Sequence, residues 1–330
     1  MKFSNTSAAR RAYLGAAASL CLLGATGASM AQAPWPNKPV RLVVGFAPGG
    51  GTDVMARVIA QGLSEALGTT VLVENKPGAS GNLAAGEVVR AAPDGYTLMV
   101  APTSVETANP LLFKANFHPA KDLTPVGSIG VTAMYVVAKP NITVKTVKEL
   151  VDFAKANPGK LSYASSGAGT PPHLGAELLK MRTGMFATHI PYRGSAPALQ
   201  DVMGGQADFV LDPGIAFPHI RSGKVKLLGV ISAKRSPFFP DMPTLAEQGI
   251  PGAELDIWFG MWAPNGTPPE IIARLNRELA KVLAHPAAKE RFAGLGAEPT
   301  SKDQAAFRKL LADEARVLAS VIKTQNISAD

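Results

Sequence analysis

The feature that most constrains this chain is a repeated alternation of short apolar runs with amphipathic stretches. Val40-Arg41-Leu42-Val43-Val44-Gly45-Phe46 is almost wholly apolar, as a strand buried on both faces requires. A sharp Pro48-Gly49-Gly50-Gly51 turn follows, and Thr52 or Asp53 is placed to cap a helix. Val54/Met55, Val58/Ile59, Leu63 and Ala66/Leu67 then recur on one helical face until Gly68 ends the run. Residues 71–73, 81–90 and 96–100 predict a strand, a helix and a strand. Strands alternating with helices imply βαβ units and a parallel sheet, so the fold class is α/β.

A second series starts near Met134. Short strands are predicted at 134–138, 161–164, 187–190, 207–211 and 227–231, with helices at 173–182, 197–203 and about 215–221. Thr146-Val147-Lys148-Glu149 is a capping box that opens a further helix to Ala156. The tail reads as two helices. Thr267-Pro268-Pro269-Glu270 opens the first, with Ile271/Ile272, Leu275, Leu279 and Val282/Leu283 on one face. Ser301-Lys302-Asp303-Gln304 opens the second, with Phe307, Leu310/Leu311, Leu318 and Val321/Ile322 inward.

Hydrophobic residues make up 46% of the 330 and charged residues 18%, which supplies a core and excludes global disorder. The net charge of +8 raises nucleic-acid binding, but the basic residues are scattered and aromatics are only 6%, so no nucleic-acid partner is expected. The first residues revise that charge. Lys2, Arg10 and Arg11 precede an uncharged stretch of small and apolar residues over 13–28, the pattern of a secretory signal peptide. Arg10-Arg11 also resembles a twin-arginine export signal, so export is expected by the general secretory or the twin-arginine route. Ser29-Met30-Ala31 and Ala31-Gln32-Ala33 compete as cleavage sites, and cutting after Ala31 is favoured because Pro34 would follow the other cut. Removing 1–31 takes away three cations and the lone cysteine, Cys21, leaving an excess of +5 and no disulfide. A periplasmic location follows.

Two loops carry the candidate chemistry. In Pro48-Gly49-Gly50-Gly51-Thr52-Asp53, glycines let the backbone approach a ligand, and the helix start offers unpaired N–H groups to a carboxylate or phosphate. No Lys-Ser/Thr follows, so it is not a Walker A loop; nor does it have the third glycine of a dinucleotide fingerprint. Ser165-Ser166-Gly167-Ala168-Gly169-Thr170-Pro171-Pro172-His173 repeats the idea between a later strand and helix. Both lie at the carboxyl ends of strands, where open α/β sheets bind ligands. Arg193, near another helix start, suits an anion or a surface salt bridge. Asp212 either caps the next helix or meets an amine, and His173 reads as structural. There is no G-x-S-x-G or H-E-x-x-H, and the five histidines lack metal-ligand spacing, so no catalytic residue, metal or cofactor is assigned.

Several motifs together resemble the Bug-type (TctC) substrate-binding proteins of tripartite tricarboxylate transporters. They are Phe46-Ala47-Pro48-Gly49-Gly50-Gly51-Thr52-Asp53, Glu74-Asn75-Lys76-Pro77-Gly78-Ala79, Pro93-Asp94-Gly95-Tyr96, Gly167 to Leu174, Pro191-Tyr192-Arg193-Gly194-Ser195-Ala196-Pro197, Pro240-Asp241-Met242-Pro243-Thr244 and Trp258-Phe259-Gly260. The resemblance implies a type II periplasmic-binding-protein fold, two α/β lobes with a ligand cleft between them. Signal peptide 1–31 would precede lobe 1 at 32–133, lobe 2 at 134–256 and the return to lobe 1 at 257–330. It also implies a small carboxylate, amino acid or related organic solute as ligand, and membrane permease subunits as partners. Gly49, Gly50, Gly51, Thr52, Asp53, Thr103 and Ser104 would hold the ligand from one lobe, and Ser165, Ser166, Gly169, Thr170 and Asp212 from the other. A monomer is expected. A sensor that feeds a membrane signalling protein would have the same sequence, and a secreted α/β enzyme is the more distant rival. One departure stands out: Val105-Glu106 occupy a position where relatives commonly have Thr-His. A carboxylate facing the cleft there would favour a zwitterionic or amide-like ligand over a plain tricarboxylate.

Overall fold

The computed structural model describes residues 35–324 and 326–328, so the expected signal segment lies outside the described residues. From Lys38 onward the chain forms one unit built on two sheets. The first half supplies β1 (Val40–Val44), α1 (Gly51–Leu67), β2 (Val71–Asn75), α2 (Asn82–Val89) and β3 (Thr97–Pro102). Short helices α3 (Ser104–Thr107), α4 (Asn109–Leu112) and α5 (Pro119–Asp122) lead to the ten-residue β4 (Leu123–Thr132). Next come β5 (Met134–Ala138), α6 (Val147–Ala156), β6 (Ser162–Ser165), α7 (Pro171–Thr183), β7 (Thr188–Pro191) and α8 (Ser195–Met203). β8 (Phe209–Asp212), α9 (Phe217–Arg221) and β9 (Lys226–Ile231) complete the second series. β10 (Ile257–Pro264), α10 (Pro269–Ala284), α11 (Pro286–Gly294), β11 (Ala297–Pro299) and α12 (Gln304–Thr324) close the chain.

One sheet has the order β11-β4-β10-β3-β1-β2 and the other β7-β6-β8-β5-β9. β1 lies parallel to β2 and β3, and β6 parallel to β7 and β8, as βαβ units require. The remainder departs from the all-parallel expectation. β10 runs antiparallel to β3 and β4, β11 to β4, and β5 to both β8 and β9. β4 and β10 were not expected as strands from the sequence. Pro125, Gly127 and Gly130 break up β4, and both glycines are sites of close approach. A side chain at Gly127 would meet Asn276 at 2.5 Å, and one at Gly130 would meet Phe292 at 2.9 Å.

Helix starts also differ in detail. Thr146 caps α6 as expected, its hydroxyl accepting the Glu149 N–H at 3.1 Å. α1 begins two or three residues earlier than expected, with Gly50 rather than Thr52 or Asp53 at the N-cap and both of those residues inside the first turn. The Thr267 box does not form: Pro268 is the N-cap of α10, and the Thr267 hydroxyl donates to Pro264 O at 2.7 Å. For α12, Asp303 rather than Ser301 takes up a first-turn donor, accepting from the Ala306 N–H at 2.8 Å.

α12 covers the first sheet with its apolar stripe. Phe307 and Leu311 join Val43, Met99 and Trp262 in one core cluster. Farther along, Leu318 and Ile322 pack with Ala108 and with Leu174 of α7, tying the last helix to the second sheet's layer. Gly260 of β10 makes the first contact possible, because a Cβ there would lie 2.2 Å from Phe307 Cζ and 2.9 Å from Trp262. Gly260→Ala should therefore destabilise the protein by about 1–3 kcal/mol through overpacking. Urea unfolding measures this; an unchanged midpoint would show that Phe307 is not seated on the strand.

Candidate functional site

β1 delivers the chain to Phe46, and a tight turn converts the strand into α1. Gly49 takes the left-handed conformation at φ 81°, which a side chain would disfavour. Asp53 fastens the turn. Its carboxylate accepts the Gly49 N–H at 2.9 Å, Arg57 Nε at 3.0 Å and Asn75 Nδ2 at 2.9 Å. Burial alone would raise its pKa, yet the bonds from Arg57, Gly49 and Asn75 hold it below the usual carboxylate range. A carboxylate engaged on this many sides shapes the loop and has little capacity left for a solute.

Glycine at the N-cap leaves α1 without a side-chain cap. The N–H groups of Gly51, Thr52 and Asp53 therefore have no acceptor within the helix. α8 begins in the same way, at Ser195 after an uncapped Gly194. The two starts meet: a Cβ on Gly50 would lie 3.8 Å from Ser195 N and 4.0 Å from Ala196 N. Between them is a cavity of about 20 Å³, lined by Gly50, Gly51, Thr52, Ser166 and Ser195 with Phe46, Pro102, Pro171, Pro172, Pro213, Ile257 and Phe259 as its apolar wall. Neither an acid nor a base lines it, so its electrostatics come from the two helix starts and their dipoles. Beside it, the Ala47 N–H donates to Arg193 O at 3.0 Å, and the Ser80 hydroxyl donates to Ala168 O. These bonds join the loops of one sheet to those of the other.

Of the residues singled out in the sequence, Gly50, Gly51, Thr52 and Ser166 reach this cavity. The rest form a layer behind it. Gly49 and Asp53 make the turn. Thr103 donates through its N–H to Trp258 O at 2.9 Å, and the Ser104 hydroxyl is buried with no partner among the described residues. The Ser165 hydroxyl lies 2.6 Å from His189 Nε2, and the Thr170 hydroxyl donates to Gly167 O at 2.6 Å. The Gly169 N–H donates to His173 Nδ1 at 2.9 Å. Asp212 accepts the Gly214 N–H at 2.6 Å and the Ala216 N–H at 3.0 Å, so it caps the turn after β8. Burial pushes its pKa up to about 7 against those two bonds. Ser195 was legible only as part of a motif, and Phe46, Pro213 and Phe259 carried no polar signal at all.

Glu106 does not face the cleft. Its carboxylate turns back beneath α12 and accepts Trp262 Nε1 at 2.7 Å. Burial raises its pKa, with Trp262 and Arg308 opposing. Glu314 of α12 stands nearby, pushed up to about 7 by burial and by Glu106 while the Thr103 hydroxyl opposes. The pair belongs to the packing of α12, and the reason for expecting a zwitterionic ligand is gone.

Two α/β lobes that meet across a small cleft, with loops at strand ends lining it, define the type II periplasmic-binding-protein class. Residues 55–327 match the family described as the tripartite tricarboxylate transporter family receptor, TctC. Protein BugT of Bordetella pertussis is 38% identical over 293 residues, covering 88% of this chain and 90% of its own. The structure of Rpa4515 of R. palustris with adipate superposes with a TM-score of 0.86 at 35% identity, covering 89% of this chain and 99% of that one. MatC from Rhodopseudomonas palustris with bound malate gives 0.83 at 33% identity, over 87% and 100%. The chain belongs to the Bug-type TctC family of solute-binding proteins.

A histidine pair backs the second loop. His173 and His189 stack with ring centroids 4.0 Å apart, and Tyr163 stacks on His189 at 4.8 Å. Burial pushes His173 down to about 4, with Glu177 opposing. Burial, the neighbouring His173 and Lys180 push His189 down to about 3. Both rings are thus neutral when folded but titrate near 6.5 when unfolded. Their contribution to stability is whole above about pH 6.5 and is lost progressively as the pH falls toward 4 and 3. His189→Gln, which keeps a hydrogen-bonding group toward Ser165 without a titrating ring, should lose less stability than wild type between pH 7.5 and 4.5. Denaturant unfolding at the two pH values checks this; equal losses would contradict it.

Proposed function

We propose that this protein is a periplasmic receptor that captures a small organic acid and presents it to the membrane permease subunits of a tripartite tricarboxylate-type transporter. One observation carries the reading. The starts of α1 and α8, one from each sheet, turn uncapped N–H groups toward one cavity that no acidic side chain lines. Such starts favour an anion. The relatives solved with adipate and with malate support the same ligand class. On this reading the helix starts at Gly51, Thr52 and Ser195 meet the carboxylate, and Ser166, whose hydroxyl donates to Thr170 Oγ1 at 3.0 Å, walls the cavity. Gly49, Asp53, Thr103, Ser104, Ser165, Gly169, Thr170 and Asp212 keep those groups in place.

The lobes are assigned as 32–133 with 257–330, and 134–256, with the chain crossing near Met134 and again near Asp256. Residues 1–31 serve as the export signal and are cut after Ala31. Function is closure around the solute, and no chemical step is assigned.

Mass spectrometry of small molecules released from natively purified protein by denaturation should find an intact carboxylic acid; a released product of an added substrate would overturn the reading. Gly51→Asp is the matching variant. A Cβ there meets only ordinary contacts at 3.7 Å, and an acid in the first turn suits the helix dipole, so the fold should hold. Its carboxylate would occupy the anion position, and acid binding should fall by at least about 100-fold, roughly 2.7 kcal/mol. Calorimetric titration measures it, and retained affinity would contradict the assignment.

A further inference from the structure

Four consecutive residues, Gly78 to Gly81, have positive φ, at 147°, 45°, 52° and 94°. Glycine takes such angles freely, while in Ala79 and Ser80 they crowd Cβ against the backbone. Residues other than glycine persist there only where their surroundings over-determine them, and such places cluster at ligand clamps and switch segments. The layer of the first sheet supplies the restraint. The Lys76 N–H donates to Val44 O at 2.8 Å where the chain leaves β2, and the Gly81 N–H donates to Gly78 O at 3.0 Å across the turn. The buried Asn109 of α4 secures the middle, its Nδ2 donating to Ser80 O at 3.0 Å and to Asn82 Oδ1 at 3.0 Å.

This strained turn presents one hydroxyl. Ser80 donates through Oγ to Ala168 O, at the tip of the loop that follows β6. The tip is shaped to receive it. A Cβ on Gly167 would lie 2.8 Å from Ser80 Oγ, and one on Gly169 would lie 2.5 Å from Leu112 Cδ1 of α4. Both glycines have positive φ, 134° and 74°. The glycines on either side of Ala168 therefore make room for the loops of the first sheet, a task separate from the cavity that Ser166 walls.

We infer that Ser80 is a clasp: the turn at 78–81 holds its hydroxyl ready for Ala168 O, and this one bond biases the two lobes toward the closed arrangement whether or not a solute is bound. The inference rests on the function proposed above in one respect, that the lobes move against each other. Both partners belong to the protein, so the bond forms whenever the lobes meet. The bonds that hold the turn all come from its own lobe, so the hydroxyl stays preset when the lobes part and closing orders little new chain. A solute leaves only after the clasp breaks, which lengthens its stay. Ser80 is a positioning residue in this scheme and touches no ligand.

Single-molecule energy transfer reads the closed and open populations. Dyes are carried on Lys121→Cys and Lys224→Cys, exposed positions one on each lobe, and Cys21→Ser removes the one native thiol. Ser80→Ala deletes the hydroxyl, and Ser80→Gly also relaxes the backbone. Without added acid, each should lower the closed-to-open ratio by about fivefold, the scale of one neutral hydrogen bond. An unchanged ratio in both variants would overturn the clasp. A shift in Ser80→Ala alone, with Ser80→Gly matching wild type, would also overturn it, because the effect would then belong to backbone strain. Adipate and malate form the second arm. If either acid closes wild type while both variants keep its acid-free ratio, the receptor reading stands and only the clasp falls. If both variants shift but neither acid closes any of the proteins, the clasp stands and the result counts against the receptor reading. A single population that no variant and no acid alters would overturn both.

Discussion

An α-helix opens with N–H groups that no residue of the same helix can satisfy, and this protein leaves two such openings uncapped at one point. Glycine at the N-cap of α1 and of α8 withholds the side-chain oxygen that usually fills that role. The groups must then find water, a ligand or another loop. Because one helix follows a strand of the first sheet and the other a strand of the second, one solute that satisfied both sets would, on the proposed function, draw the two lobes together.

The polar residues around the cavity hold this arrangement in shape. Asp53 ties Gly49, Arg57 and Asn75 to one carboxylate, which fixes the angle at which α1 leaves the turn. The second loop depends on neutral histidine rings, since His173 must accept from the Gly169 N–H. Asp212 performs the corresponding task after β8. Each is a buried titratable group: burial pushes His173 down and Asp212 up, while in Asp53 the bonds it accepts outweigh burial. These groups carry the familiar appearance of binding residues while working one layer behind the cavity.

Much of the fold was legible in the sequence, and what was not has identifiable causes. Regions with βαβ rhythm, such as 40–100 and 134–231, carry a local signal in their hydrophobic spacing and turn glycines. β10 carries an apolar, aromatic run over 257–263, which was not read as a strand, and β4 carries little signal; their Gly127, Gly130 and Gly260 are chosen by Asn276, Phe292 and Phe307, which arrive from distant helices. The glycine turn and Ser166 were readable because small residues at a strand end mark a close approach. Ser195, Pro213 and the phenylalanine wall were not, since their place in the cavity depends on how the lobes meet. Glu106 misled for a related reason: its neighbours in sequence lie at the cleft, but its partner, Trp262, lies 156 residues away.

The central claim is that one carboxylate engages N–H groups from both helix starts. The most direct test follows the backbone amide signals of Gly51, Thr52, Asp53, Ser195 and Ala196 by NMR while a carboxylic acid that binds is titrated in. The account predicts that both sets move together, toward stronger hydrogen bonding, with one shared midpoint. Movement confined to one helix start, or acid binding that leaves both sets where they were, would contradict it.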